Sequence, residues 1–293
     1  MAPSFDTFLN ERARSKRLAR LTHDIVLPKA HGLEFGPGAN PVSLPDTFTV
    51  EYVDHSVTAS DTVDIRWEWS GSGSLADVCG AVGSFDFAVA AQVAQYVPNL
   101  CGWFRGIHEV LRPGGVLNLT LPDKRMIFDA RRSLSTVGQI IDADLRQLDR
   151  PSPQQIFDHT FEAVALDEGR IWREPIDPAT LPKLCGEHAL ALAREQTERA
   201  WASGSYESCH CWVFTPLSFL DVIENLTRVG RFPFVFSQFA STDPGEMEFF
   251  VCLRRDKEDD PDRLRDMQLT AIAHVRSIVR RQFVAAKLLS QDR

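Results

Sequence analysis

Apolar residues recur along this chain with two different spacings. Phe85 to Ala91, read as a continuous apolar run apart from Asp86, and the mainly apolar Val116 to Leu121 have the composition of strands covered on both faces. Shorter apolar segments at Leu33 to Phe35 and Phe48 to Val53 flank a glycine turn, and Val63 to Trp69 alternates before the break Ser70-Gly71-Ser72-Gly73-Ser74; each reads as a strand. Helical spacing governs Leu100 to Leu111, which Arg112-Pro113-Gly114-Gly115 should end. An amphipathic helix over residues 5–22 either covers a sheet edge or acts as a lid. Residues 126–205 are polar and helical in character, interrupted at Pro151, Pro153, Pro175, Pro178 and Pro182, with a helix at Leu184 to Ala202. A strand at His210 to Phe214, a helix at Pro216 to Arg228 capped by Thr215, and strands at Phe232 to Ala240 and Glu248 to Arg254 follow. The tail from Asp259 to Leu289 forms one long amphipathic helix, which either packs back on the domain or pairs with a second subunit.

This alternation predicts an α/β fold, a doubly wound and mostly parallel sheet whose late strands form an antiparallel edge. The organisation expected is a ligand-binding half over 1–125 with its N-terminal helix, a helical cap insertion over 126–208, remaining strands over 209–255, and a C-terminal helix over 256–293.

Composition narrows the partners. The chain has 293 residues, 44% hydrophobic and 25% charged, with a net charge of -8. A soluble profile follows, and broad phosphate-neutralising nucleic-acid binding is disfavoured. No apolar run spans a bilayer and the N-terminus lacks an apolar signal core, so a cytoplasmic protein without membrane contact is expected. Six scattered cysteines read as reduced thiols.

The stretch Glu34-Phe35-Gly36-Pro37-Gly38-Ala39-Asn40-Pro41 carries the first chemical signal. Gly36 and Gly38 let backbone turn sharply and approach a ligand at the carboxyl end of a strand. Asp54 closes the next strand, where an acid accepts hydrogen bonds from ribose hydroxyls. The ligand indicated is a nucleoside. Pro41 stands where a dinucleotide fingerprint has its third glycine, and no Gly-Lys-Ser/Thr tripeptide follows, which sets aside an NAD-dependent oxidoreductase and a phosphate loop. Pro41 also suits the first turn of a following helix.

Glu-x-Gly-x-Gly with a ribose acid, followed by Phe85-Asp86, an apolar strand, an amphipathic helix, Val110-Leu111-Arg112-Pro113-Gly114-Gly115, a second apolar strand and Pro122-Asp123, resembles class I S-adenosylmethionine-dependent methyltransferases of the type 11 kind over residues 32–125. The resemblance implies a Rossmann-like methyltransferase fold with S-adenosyl-L-methionine as cofactor. Gly36, Gly38 and Asn40 would line its methionine end, with Glu34 steadying that loop or the amino group. Asp54 would hold the ribose, Gln92 would border the site, and Glu68, Ser70 or Asp77 would meet the adenine. Where such relatives carry His and Glu-His after the fourth strand, this chain has Gln92, Gln95 and Tyr96, and glutamine is no base near neutral pH.

Methyl transfer from a sulfonium mainly needs the acceptor held in line, and a hydroxyl acceptor gains from a base. His159, His210 and Asp123 are the candidates. Arg125, Arg131 and Arg132 would either bind an anionic group or face solvent. Cys185, His188, Cys209, His210 and Cys211 lack the paired Cys-x-x-Cys spacing of structural zinc, so no metal is expected and these cysteines read as packing groups. The expected acceptor is a small molecule or saccharide, the saccharide by resemblance. The alternative is a catalytically inactive protein of the same fold that binds a partner.

Overall fold

The computed structural model describes residues 2–25, 28–56 and 63–291. Its strands are β1 (His31–Phe35), β2 (Thr49–Asp54), β3 (Ile65–Glu68), β4 (Phe85–Ala91), β5 (Leu111–Pro122), β6 (Val235–Ala240) and β7 (Glu248–Arg254). They form one sheet in the order β3-β2-β1-β4-β5-β7-β6. Strands β1 to β5 pair in parallel, and β7 runs antiparallel to both β5 and β6. The chain order reverses between β1 and β4, so the crevice at their carboxyl ends is the ligand position of this architecture.

Both faces of the sheet are covered, which is why β4 is apolar from Phe87 to Ala91. On one face α4 (Leu100–Val110) and α9 (Pro216–Arg228) bury Trp103, Phe104, Phe219 and Leu220 in the main core. Helix α9 begins as its sequence dictates: Thr215 accepts from the Ser218 N–H, Ser218 answers at the Thr215 N–H, and Pro216 fills the first turn. On the other face α1 (Phe5–Arg14) and α2 (Lys16–Leu21) place Phe8 and Leu21 against Phe87, Val89 and Phe250. The single helix expected over 5–22 is thus two, because Ser15 is extended and accepts from Leu18 N–H as the cap of α2.

Four further expectations are corrected. No helix follows the glycine turn: residues 36–48 run as a loop, since Pro37, Pro41 and Pro45 each push the preceding residue out of the helical region. Leu44 and Phe48 of this loop fill the core where helix side chains would have packed. Arg112-Pro113-Gly114-Gly115 does not separate α4 from its strand by a loop. It lies inside β5, whose register against β4 jumps from Phe85–Leu111 to Phe87–Val116, an irregularity that absorbs the extra residues. Residues 210–214 are no strand; they meet the chain just beyond the carboxyl end of β5 at a single bridge between Phe214 and Asp123. The helix placed at Leu184 begins later, as α8 (Ala189–Ser203).

The remaining elements are α3 (Leu75–Cys79), then α5 (Val137–Leu145), α6 (Pro153–Glu162) and α7 (Glu168–Ile171), which lie with α8 between β5 and residue 209, and last α10 (Pro261–Gln291). Helices α6 and α8 pack on each other. Helix α10 packs on α9 and β6, burying Ile272, Val275 and Val279. No helix among the described residues is long and apolar enough to cross a membrane.

Candidate active site

The glycine turn sits where the chain order reverses. Gly36 has φ +54°, and a Cβ there would come within 2.8 Å of Val93 Cγ2, so only glycine fits without strain. Glu34, at the penultimate position of β1, is buried. Its Oε1 accepts the Val42 N–H at 2.8 Å, which folds the loop back over the strand. Its Oε2 is buried without a hydrogen-bond partner, and burial pushes the carboxyl pKa up to about 7 despite the Val42 hydrogen bond. A buried oxygen of this kind fits a cationic donor that completes it.

Asp54 ends β2. Its Oδ1 accepts from the backbone N–H of His55 at 2.7 Å and sits 2.8 Å from His55 Nδ1. The Asp54 hydrogen bond raises the imidazole pKa against the effect of burial. The His55 ring is stacked on Tyr206, centroids 4.4 Å apart and planes at 27°. Tyr206 in turn donates its hydroxyl to the Tyr96 carbonyl at 3.0 Å. With Tyr206 there, the space lined by Gly36, Asp54, Ser70, Tyr96 and Tyr206 is about 50 Å³, far below the roughly 300 Å³ that small-molecule pockets begin at. Of the adenine candidates, Ser70 lines this space, whereas Glu68 and Asp77 are exposed. Asn40 and Gly38 are exposed on the other side of the turn, and Asn40 borders a groove beside Arg14 and Arg17.

Gln92 follows β4 with φ +61°. Its N–H donates to Thr120 Oγ1 at 3.0 Å and its amide to Glu248 Oε2 at 2.7 Å, while Glu248 Oε1 accepts from Arg17 at 2.7 Å. This ties α2 and β7 to the rim of the crevice.

The three candidate bases differ sharply. Asp123 is fully buried, and its carboxylate accepts from the Arg125 guanidinium through both oxygens and from the Thr242 hydroxyl. It holds the loop after β5, with both carboxylate oxygens engaged. His159, on α6, is pushed down to a pKa of about 4 by burial, and its Nδ1 accepts the His210 N–H at 3.3 Å.

His210 has the arrangement of a positioned base. Its Nδ1 lies 2.6 Å from Asp129 Oδ2, and Arg132 braces the pair by donating to Asp129 Oδ1 at 3.0 Å and to the His210 carbonyl at 2.8 Å. All three are buried. Burial would raise the Asp129 pKa, but the His210 hydrogen bond and the Arg132 charge outweigh it and hold the carboxyl below its usual range. The imidazole ring centroid lies 4.7 Å from that of Tyr96, 4.9 Å from that of Phe128 and 5.5 Å from that of His159. Tyr96 lines the small space beside Asp54. Phe128 and His159 line a second cavity of about 290 Å³ with Thr160, Gln196, Glu207 and Cys209. His210 itself lines neither space; it is buried behind them, in ring contact with Tyr96 of the first and with Phe128 and His159 of the second. Backbone contacts fix it there: Cys211 N–H donates to the Gln95 carbonyl and Trp212 Nε1 to the Val97 carbonyl, both at 2.6 Å.

Asp129 and Tyr206 were not among the residues the sequence pointed to. Each acts on a residue far away in the chain, and neither sits in a recognisable motif. Of the arginines, Arg125 and Arg132 serve Asp123 and Asp129, and Arg131 pairs with Glu162 at 3.2 Å.

No protein-family model matches the chain, and no curated protein matches it significantly. Among solved structures, a candidate Zn-dependent alcohol dehydrogenase from Rhodobacter sphaeroides matches at 11% identity over 82% of this chain and 90% of that one, with a TM-score of 0.49. A SAM-dependent methyltransferase from Methanosarcina mazei matches at 15% over 80% and 97%, with a TM-score of 0.40. An S-adenosylmethionine-dependent methyltransferase from Mesorhizobium loti matches at 15% over 84% and 100%, with a TM-score of 0.42. Likenesses this distant say nothing of substrate, and the strand order stands without them. Seven strands in the order 3-2-1-4-5-7-6, the seventh antiparallel, give this chain the Rossmann-like fold of class I S-adenosylmethionine-dependent methyltransferases.

Proposed function

We propose that the protein is an S-adenosylmethionine-dependent methyltransferase acting on a hydroxyl of a small-molecule or saccharide acceptor. The observation that carries this reading is the pair of acids at the point of strand reversal: Glu34 with an unpartnered buried oxygen and Asp54 one strand away. The cofactor supplies an electrophilic methyl on a sulfonium leaving group. Glu34 Oε2 would accept from its ammonium, Asp54 would accept from its ribose hydroxyls, and Gly36 gives backbone room. The acceptor would occupy the 290 Å³ cavity, whose Thr160, Gln196 and Glu207 suit a hydroxylated molecule and whose Phe128 supplies an apolar wall. His210 would take the hydroxyl proton on Nε2 as the carbon–oxygen bond forms and the carbon–sulfur bond breaks, while Asp129 fixes the tautomer and stabilises the imidazolium. Tyr206 must leave His55 before a nucleoside enters, and its departure would join the two spaces.

The test is transfer of labelled methyl to a panel of monosaccharides and small hydroxylated metabolites. His210→Gln should lower kcat by about 10²-fold or more, and Asp129→Asn should shift the acidic limb of the pH profile. Turnover unchanged in both variants would remove His210 as the base.

One observation favours a second reading. Tyr206 is stacked on His55 and lines the small space beside Asp54, as a permanent plug would in a catalytically inactive protein that binds a partner through the same fold. Absence of S-adenosylhomocysteine binding would select it.

A further inference from the structure

We propose that His23, Asp24 and Cys252 form a site for one zinc-like divalent metal ion that fastens the segment after α2 to the sheet. A nitrogen, a carboxylate oxygen and a sulfur from these residues all lie within 4.8 Å of one another, and among the described residues no other group of three or more His, Cys, Asp and Glu comes this close.

Local structure builds the cluster from two distant parts of the chain. After α2 the chain reverses at Asp24, a non-glycine residue at φ +56°, a conformation that costs about 1 kcal/mol or more unless the surroundings demand it. Asn118 on β5 holds the reversal by donating its amide to the carbonyls of Leu21 at 3.0 Å and His23 at 2.8 Å. Ser237 on β6 donates its hydroxyl to Asp24. Cys252 on β7 pairs directly with Asn118, so their side chains share one face of the sheet. His23 Nε2 already lies 3.4 Å from Asp24 Oδ1. Asn118 Oδ1 is buried with no partner, a further oxygen on that face.

The donor set selects the ion. Calcium and magnesium take oxygen ligands, whereas one sulfur, one imidazole and one carboxylate suit zinc or a similar first-row ion. Three protein ligands leave a fourth position for water. Cys252 is buried while His23 is half-buried and Asp24 exposed, so the cluster opens to solvent on one side. On binding, the thiol proton passes to water as the metal–sulfur bond forms, with no change of oxidation state.

The test uses the whole chain freed of metal, titrated with Zn²⁺ by calorimetry and with Co²⁺ by absorption. The site predicts one ion per chain and a thiolate-to-cobalt charge-transfer band that Cys252→Ser abolishes. His23→Gln, at a half-buried position, should weaken Zn²⁺ binding about tenfold or more with the circular dichroism unchanged, and it decides the matter if Cys252→Ser does not fold. No saturable Zn²⁺ binding by the native chain would overturn the proposal. So would a cobalt band that survives in Cys252→Ser, which would place the ion on another cysteine.

Discussion

Glu34 ties the stability of the chain to the chemistry of its site. Burial moves its pKa from 4.5 to about 7, so the folded chain keeps this proton over a range in which the unfolded chain has lost it. The group's contribution to stability is complete below pH 4.5 and is lost as pH rises through about 7, because the folded state binds more protons in that window. A shift from 4.5 to about 7, at about 1.4 kcal/mol per pH unit, is worth about 3 kcal/mol. Glu34→Gln removes the titration and keeps an acceptor for the Val42 N–H. Whatever the buried amide costs is the same at every pH, so it cancels when one pH is compared with another. In urea unfolding at about pH 4.5 and about pH 8, the native chain should lose about 3 kcal/mol relative to Glu34→Gln. Saturating S-adenosylhomocysteine should shrink that loss, since an ammonium beside Oε2 favours the carboxylate. A difference between the two proteins that stays flat with pH, within about 1 kcal/mol, would refute the reasoning.

Two other substitutions probe the same crevice. Tyr206→Ala removes a ring stack and a hydrogen bond, together about 2 kcal/mol, that any nucleoside must displace; S-adenosylhomocysteine should bind about tenfold tighter or better by calorimetry, and unchanged affinity would show that Tyr206 is no obstacle. Gly36→Ala forces a Cβ to 2.8 Å from Val93 Cγ2 at a positive φ; it should lower thermal stability by about 1–2 kcal/mol and abolish binding, whereas Val93→Ala in the same chain should restore part of both.

The sheet was legible because strands buried on both faces are predominantly apolar, as at Phe85 to Ala91 and Glu248 to Arg254, where the observed bounds match the expected ones. Helix α9 was legible because Thr215, Pro216 and Arg228 mark its ends. The missing helix after Gly36 shows the limit of a fold-based expectation: three prolines in nine residues overrode it. Arg112 to Gly115 follow the end of α4 at Val110, as expected, but they lie inside β5 and not before it, because a parallel strand can carry turn residues as an irregularity when its neighbour, β4, fixes the pairing on either side. At the crevice, the placement of Glu34, Gly36 and Asp54 was legible because all three belong to one strand–turn–strand unit. His210 stood out as a residue type, but its partner Asp129 lies 81 residues away and no spacing rule connects them. Tyr206 was hidden for the same reason: its contact with His55 exists only once the segment after α8 returns along Gln95 to Val97.

The central claim is that the crevice beside Glu34 and Asp54 binds the methyl-transfer cofactor. Calorimetric titration of the native chain with S-adenosylhomocysteine, with Asp54→Ala and NAD as controls, tests it most directly. The account predicts saturable binding by the native chain, at least about tenfold weaker in Asp54→Ala, which loses hydrogen bonds to a charged group, and none for NAD. Heat that is absent with S-adenosylhomocysteine, or equal for NAD, would contradict it.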